Sequence, residues 1–422
     1  MQEHHLDLND PAFVYDPYPT LAGLRERLPV FYDPVWQKVF FTRYDDIAAL
    51  LRDRRLGRSI LHVLSRDELG WPPPNPLTGA FDRFQSDHML DNEPPKHTRL
   101  KALMLKAFTT GRVEGLRGTI QRIVDGLIDR VAEAGRMDLL KDFAEPLPVA
   151  VIAELLGVPE EDRPRLRPWS SKIVKLYELG YTDDQAREAN QAVVEFSAYI
   201  HDLADQRRRA PRDDLISALV RVEEQEEVLT ADELVANCIL LLNAGHEATV
   251  NGTTLGMLSL HQHPEQMGLA RAAAARGDRE FFKTAVEELL RFDTPLPMFE
   301  RWVLEDLDFH GIPLRRGVEV GLLYASGNRD PRRFPDPDRL LLTRRENPHL
   351  TFGLGIHYCI GAPLARVEMQ TAFQTLLRRL PNIHIAREPV EYTEGFVIRG
   401  HRAMPVEFGA GRRPGMVSGR EP

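Results

Sequence analysis

The chain has 422 residues, 43% of them hydrophobic and 28% charged, with 54 Lys plus Arg against 63 Asp plus Glu and a formal net charge of -9. That composition belongs to a globular protein rather than a disordered one, and a mildly acidic balance argues against a nucleic-acid binder, which would carry excess positive charge or a basic stripe. Two cysteines, Cys238 and Cys359, are too few for a disulfide-stapled secreted protein, so one is free to serve as a ligand or nucleophile.

The first residues, Met1 to Asp7, show neither the basic nor the apolar region of a signal peptide. The longest aliphatic run, Cys238 to Leu242, falls far short of the ~18 residues a membrane span needs. A soluble, cytoplasmic protein with no membrane span is the expectation. Pro17 to Arg27 reads as a helix, and Pro29 to Tyr32 and Lys38 to Thr42 as short strands. From about 95 to 292 the apolar spacing is almost wholly helical. Within that stretch Thr230-Ala231-Asp232-Glu233 forms a capping box. It opens a long helix running past Leu241 toward Met257, apolar on most sides and so expected to cross the middle of the molecule. After 295 the pattern turns to short strands, with turn signals at His310-Gly311-Ile312-Pro313 and Arg315-Arg316-Gly317. An aperiodic, proline-rich stretch spans Asn328 to Pro348, and a last helix runs from about Ala362 to Leu377. The fold class is mainly α with small β-sheets (α+β). Residues 1–408 are expected to form one domain and 409–422 a flexible tail.

The strongest chemical signal is Phe352-Gly353-Leu354-Gly355-Ile356-His357-Tyr358-Cys359-Ile360-Gly361. Its glycines permit tight turns and close approach to a flat ligand. Cys359 stands at the entrance of a helix, where negative charge, and therefore a thiolate, is favoured.

These ten residues satisfy the heme-binding pattern Phe-x-x-Gly-x-(His or Arg)-x-Cys-x-Gly, and the sequence resembles the cytochromes P-450 over roughly residues 10 to 408. The resemblance implies a triangular-prism fold around a long central helix. It implies heme b as cofactor, with Cys359 as its axial ligand and His357 at a propionate. It places His97 and Lys101, four residues apart on a helix that follows Pro94-Pro95, and Arg301 on a strand, at the heme propionates as well. Lys101 stands where Arg is common, which keeps the charge and loses the bidentate fork. Glu288-Leu289-Leu290-Arg291 matches the family's buried Glu-x-x-Arg pair, with Arg339 in the segment Phe334-Pro335-Asp336-Pro337-Asp338-Arg339 as the expected third member.

On the central helix, Ala244-Gly245-His246-Glu247-Ala248-Thr249 matches (Ala or Gly)-Gly-x-(Asp or Glu)-Thr up to its last position, where Ala248 replaces the threonine. Thr249 comes one residue later, about 100° further round the helix. The resemblance implies that Glu247 and Thr249 deliver protons with ordered water, or that a hydroxyl on the substrate completes the relay. The implied activity is an O2-dependent monooxygenase acting on an apolar small molecule, with electrons from ferredoxin and ferredoxin reductase. Phe81, Phe84, Leu296, Met298, Phe299 and Phe396 are its expected apolar pocket residues, and Lys101, Lys106, Arg112 and Arg366 its expected docking charges. A peroxide-driven peroxygenase and a non-catalytic heme sensor or carrier are the competing readings.

Overall fold

The computed structural model describes residues 1–177, 181–226 and 229–409. All of the expected tail except Gly409 lies outside them. The elements that build the site are, in chain order, helix α1 (Tyr18–Arg27), strands β1 (Val30–Asp33), β2 (Lys38–Phe41) and β3 (Leu56–Gly57), and helices α2 (Gly79–Asp87), α3 (Lys96–Ala107), α4 (Pro146–Leu156), α5 (Asp183–Arg209), α6 (Ala231–Gln262) and α7 (Arg279–Phe292). Strands β4 (Phe299–Val303) and β5 (Glu319–Leu322) and helix α8 (Ala362–Arg379) follow.

Helix α6 organises the α-rich part. Its capping box closes as expected: the Thr230 hydroxyl accepts from the Glu233 N–H at 3.1 Å, and the Glu233 carboxylate accepts from the Thr230 N–H at 3.1 Å. At 32 residues it is about 48 Å long, and α4, α5, α7 and α8 pack around it. Close approach depends on small residues. A Cβ on Gly256 would meet the Phe373 ring at 2.7 Å, and one on Gly252 would meet Met369 at 3.3 Å. Asn237 ties the segment after α2 to α6 by accepting from the Met89 N–H at 3.1 Å. Asn190 of α5 accepts from Ala80 N–H at 2.7 Å at the start of α2, so two polar side chains pin that short helix on two sides.

The main sheet has the order β1-β2-β5-β4-β3, with β2 and β5 parallel and the other pairs antiparallel. Phe31, Phe40 and Phe41 are fully buried in it. Lys38 lies opposite Glu319 in register; its ammonium bridges Glu319 at 3.1 Å and also Glu300 on β4. This fixes the strand on which Arg301 sits. A three-residue strand, Arg136–Asp138, interrupts the region read as almost wholly helical. It pairs with Pro405–Glu407, a partner far away in sequence, and three residues are too few to show a period.

The Glu288–Arg291 pair on α7 is buried, both residues 0% exposed, and joined by two bonds of 2.8 Å. The third member is Arg344, not Arg339. The Arg344 Nε donates to Glu288 at 3.0 Å, and Leu341 N–H and the Asn347 amide donate to the same carboxylate. Arg339 contributes only its backbone carbonyl to Arg291, while its side chain is 71% exposed and lies 3.8 Å from Asp336. The chain leaves the Asp336 turn, at φ 48°, with Arg339 pointing outward and returns to Glu288 only several residues later.

Candidate functional site

The cysteine loop is held from several sides. Gly353 and Gly355 adopt φ of 65° and 72°, and a Cβ at 355 would collide with the Leu51 carbonyl at 2.2 Å, so glycine is required there. Cys359 N–H donates to Phe352 O at 3.0 Å, and Ala365 N–H donates to Gly361 O as α8 begins. Lys101 donates to the carbonyls of Ile356 and, at 2.7 Å, Tyr358. Arg366 on α8 grips Glu287 at 2.7 and 2.8 Å, reaches the Tyr358 hydroxyl at 3.1 Å and lies over the Phe352 ring. Lys101 and Arg366 are therefore engaged as braces of the loop.

Desolvation raises the Cys359 thiol above its ordinary range, and four groups act the other way: the N–H groups of Gly361 and Ala362, which hydrogen-bond the sulfur, and the charges of Lys101 and Arg366. The residue nonetheless keeps accessible surface, unlike Cys238, which is buried on α6. Helix α6 has a matching peculiarity. It is buried without interruption from Glu233 to Asn243 and again from Thr249 to Leu260, but between them Ala244 is exposed and Gly245, Glu247 and Ala248 are half-buried. One window thus opens in a buried helix, at the Ala-Gly-x-Glu motif. The small residues divide the work: Ala244 faces open space, whereas a Cβ on Gly245 would press into Ile152 of α4 at 2.6 Å. Thr249 is buried, off the window. The Glu247 carboxyl is held below its usual range by its hydrogen bond to His246, whose Nδ1 is 3.4 Å away, against burial and with help from Arg167 and Lys175.

A cationic cluster forms a second part of the site. The His97 and His357 rings lie 4.3 Å apart, and the His97 Nδ1 is buried without a hydrogen-bond partner. Burial, followed by His357 and Lys101, pushes His97 down to about 4. Burial likewise pushes Arg301 down to about 10; its guanidinium donates to the Glu300 carbonyl at 2.7 Å and makes no ion pair among the described residues. Arg58, which no sequence signal marks, joins this cluster. It lies 4.6 Å over the Phe299 ring, binds Asp91 at 3.1 Å and leaves its Nε buried and unpartnered. Glu93 lies 3.4 Å from the His357 Nε2 and accepts from the Arg58 and Ser59 N–H groups. Buried donors in excess of acceptors cost free energy, and a ligand bearing carboxylates would satisfy them.

The expected apolar residues divide. Phe81 and Phe84 are buried beside Tyr177 and His88, and Phe299 is half-buried beneath Arg58 and Arg301. Met298 and Phe396, each 1% exposed, belong to the core against the amino-terminal segment, with Phe396 on Phe13 at 4.7 Å. The adjacent Val397 and Ile398 are the exposed residues of that loop.

The family model for cytochrome P450 matches residues 58–384. The chain is 40% identical over 419 residues to the cytochrome P-450 monooxygenase PikC of Streptomyces venezuelae, covering 96% of this chain and 94% of the relative. This chain is a cytochrome P-450. It is also 38% identical over 407 residues to the polyketide biosynthesis cytochrome P-450 PksS of Bacillus subtilis, covering 94% of this P-450 and 96% of its relative. Among solved structures it matches P-450 BioI in complex with acyl carrier protein bearing hexadec-9Z-enoic acid, with a TM-score of 0.85 and 35% identity, covering 94% and 100% of the two chains. The myxobacterial CYP267B1 in complex with myristic acid matches with a TM-score of 0.83 and 43% identity, over 95% and 98%. The P-450s are heme-thiolate oxidoreductases, which use O2 and a redox partner, and this P-450 binds heme b. Its residues fit that group: a cysteine sulfur with N–H donors, a window of small residues in the central helix, and buried unpartnered nitrogens on His97 and Arg58 for propionates. No helix among the described residues is long and apolar enough to cross a membrane.

Proposed function

We propose that this P-450 inserts one atom of O2 into an apolar small molecule, in the cytoplasm, with two electrons from a ferredoxin-type protein recharged by ferredoxin reductase. The observation that carries the reading is the window at Ala244–Ala248 in an otherwise buried helix, together with the braced Cys359 loop. Heme b, when bound, would supply the iron that activates oxygen, and a thiolate ligand suits that chemistry. Cys359 would hold the iron through its sulfur, whose charge the Gly361 and Ala362 N–H groups would moderate. His97, His357 and Arg301 would bind the propionates, and Arg58 would add a charge to the same cluster. Lys101 acts chiefly through the loop carbonyls it holds. Names of relatives such as PksS and 6-deoxyerythronolide B hydroxylase of Saccharopolyspora erythraea, 35% identical over 412 residues, together with the fatty-acid complexes above, support an aliphatic or polyketide-like skeleton as substrate. An acidic redox partner docks near Lys101, Lys106, Arg112 and Arg366, of which Lys101 and Arg366 also brace the loop and Arg112 lies 3.4 Å from Asp213. Reconstitution with ferredoxin, ferredoxin reductase and NADPH should give product faster than hydrogen peroxide alone; the reverse order would establish a peroxygenase, and no product with either would leave a sensor or carrier.

Protons enter through Glu247, kept ionised by His246, and pass through ordered water to which Thr249 contributes from the buried side of the helix. Ala248 offers no hydroxyl at the window, so water or a substrate hydroxyl must supply it. Glu247→Gln is expected to lower product formation about 10²-fold, and Thr249→Ala to lower the fraction of electrons recovered as product by a smaller factor. Electron-to-product coupling unchanged in both variants would refute this route. Ala248→Thr is expected to raise turnover of substrates lacking a hydroxyl by about tenfold, measured as product per NADPH consumed, and no gain would argue against a missing hydroxyl at that position.

A further inference from the structure

Asn243 is the last buried residue before the window. It is 5% exposed, and neither its Nδ2 nor its Oδ1 has a hydrogen-bond partner. Asn237 on the same helix shows what a structural asparagine does there. Its Nδ2 donates to the Glu233 carbonyl one turn back at 2.7 Å, and its Oδ1 accepts from Met89 N–H. The i−4 bond is the ordinary refuge of a helical polar side chain, and Asn243 makes no such bond to Ile239. The residues beside it, Leu240, Leu241 and Leu242, are buried and apolar, so packing alone would accept leucine at this position.

Helical geometry puts residue 243 about 40° from Glu247 and about 100° from Ala244 around the axis, at the edge of the opening. A primary amide with both polar atoms buried and unpaired is retained at a cost in stability, which a ligand offering oxygen would remove.

We infer that Asn243 is a specificity-determining residue that recognises an oxygen function on an otherwise apolar substrate. A substrate carbonyl accepts from its Nδ2, and a hydroxyl can also donate to its Oδ1. A hydrocarbon of the same shape leaves both atoms unpaired and is discriminated against, because a site built to hydrogen-bond rejects an analogue that cannot. The inference rests on the window being the substrate site and adds the chemistry of the group recognised there.

The test uses the heme-loaded enzyme, wild type and Asn243→Leu, and three probes of one skeleton: adamantane, 2-adamantanone and 2-adamantanol. Dissociation constants come from the substrate-induced Soret shift. The preference for either oxygenated probe over adamantane should fall about tenfold in Asn243→Leu, equivalent to about 1.4 kcal/mol. The substrate-free variant should also melt at the same temperature as wild type or about 1–2 °C higher, since it exchanges an unpaired amide for an apolar group of similar size. A preference unchanged within about twofold, or a lower melting temperature, would overturn the inference, the latter because it would show an amide already paired inside the protein. Asn243→Asp, which keeps the acceptor and loses the donor, should weaken 2-adamantanone more than 2-adamantanol; equal weakening would also count against recognition by the amide. If no probe shifts the wild-type band, the window is not the substrate site, and that underlying reading falls together with this one.

Discussion

Cys359→Ala should abolish the thiolate signature: reduced protein under carbon monoxide is expected to absorb like a histidine- or water-ligated heme. Product formation should fall by at least about 10³-fold, which is about 4 kcal/mol of lost transition-state stabilisation. The sulfur is the group of the loop that a soft metal would bind as an anion, and the groups around it are arranged for one, with N–H donors from Gly361 and Ala362 and the Lys101 and Arg366 charges nearby. The residues proposed to hold the propionates, His97, His357 and Arg301, do not depend on it, so heme binding should weaken rather than vanish. Cys238→Ala is the matched control. That thiol is fully buried on α6, and desolvation raises it far above its usual range, so it stays protonated and the spectrum should not change. A thiolate spectrum that survived loss of Cys359, or disappeared with Cys238, would remove the basis of the proposed site.

Glu288→Ala should be the most damaging substitution outside the heme pocket. The carboxylate receives donors from Arg291, Arg344, Leu341 and Asn347, and its removal leaves two buried guanidinium groups facing each other. Breaking a buried pair from one side costs about 3–5 kcal/mol, a large share of a typical folding free energy of about 5–15 kcal/mol. The midpoint of urea unfolding, followed by heme absorbance, should drop accordingly, with little heme-loaded protein recovered from expression. Arg344→Ala should also be costly, since Glu288 then loses its second cation. Arg339→Ala should stay within about 0.5 kcal/mol of wild type because that side chain is exposed. The ranking of the two arginines decides between them: Arg339 more damaging than Arg344 would mean that the network is not as described.

Local signals in the sequence foretold much of the architecture. The capping box at Thr230, the long apolar helix, the strands near 30 and 40 and the helix after Gly361 all depend on neighbours within a few residues, and all form where expected. The ten-residue Cys359 motif was equally legible, because the glycine conformations and the helix entrance are properties of a short segment. Other features were decided only by the assembled chain. Arg344 rather than Arg339 reaches Glu288 because an irregular segment has no period from which to project a direction. The strand at Arg136–Asp138 exists through a partner almost 270 positions away. Phe396 turns into the core, while its neighbours Val397 and Ile398 stay exposed. Arg58 enters the cationic cluster by sheet pairing that no motif announces. The Cys359 motif, through its resemblance to the cytochromes P-450, indicated which chemistry the chain carries; long-range packing decided which side chains surround it, since burial and unpaired polar atoms arise only when distant segments close against each other.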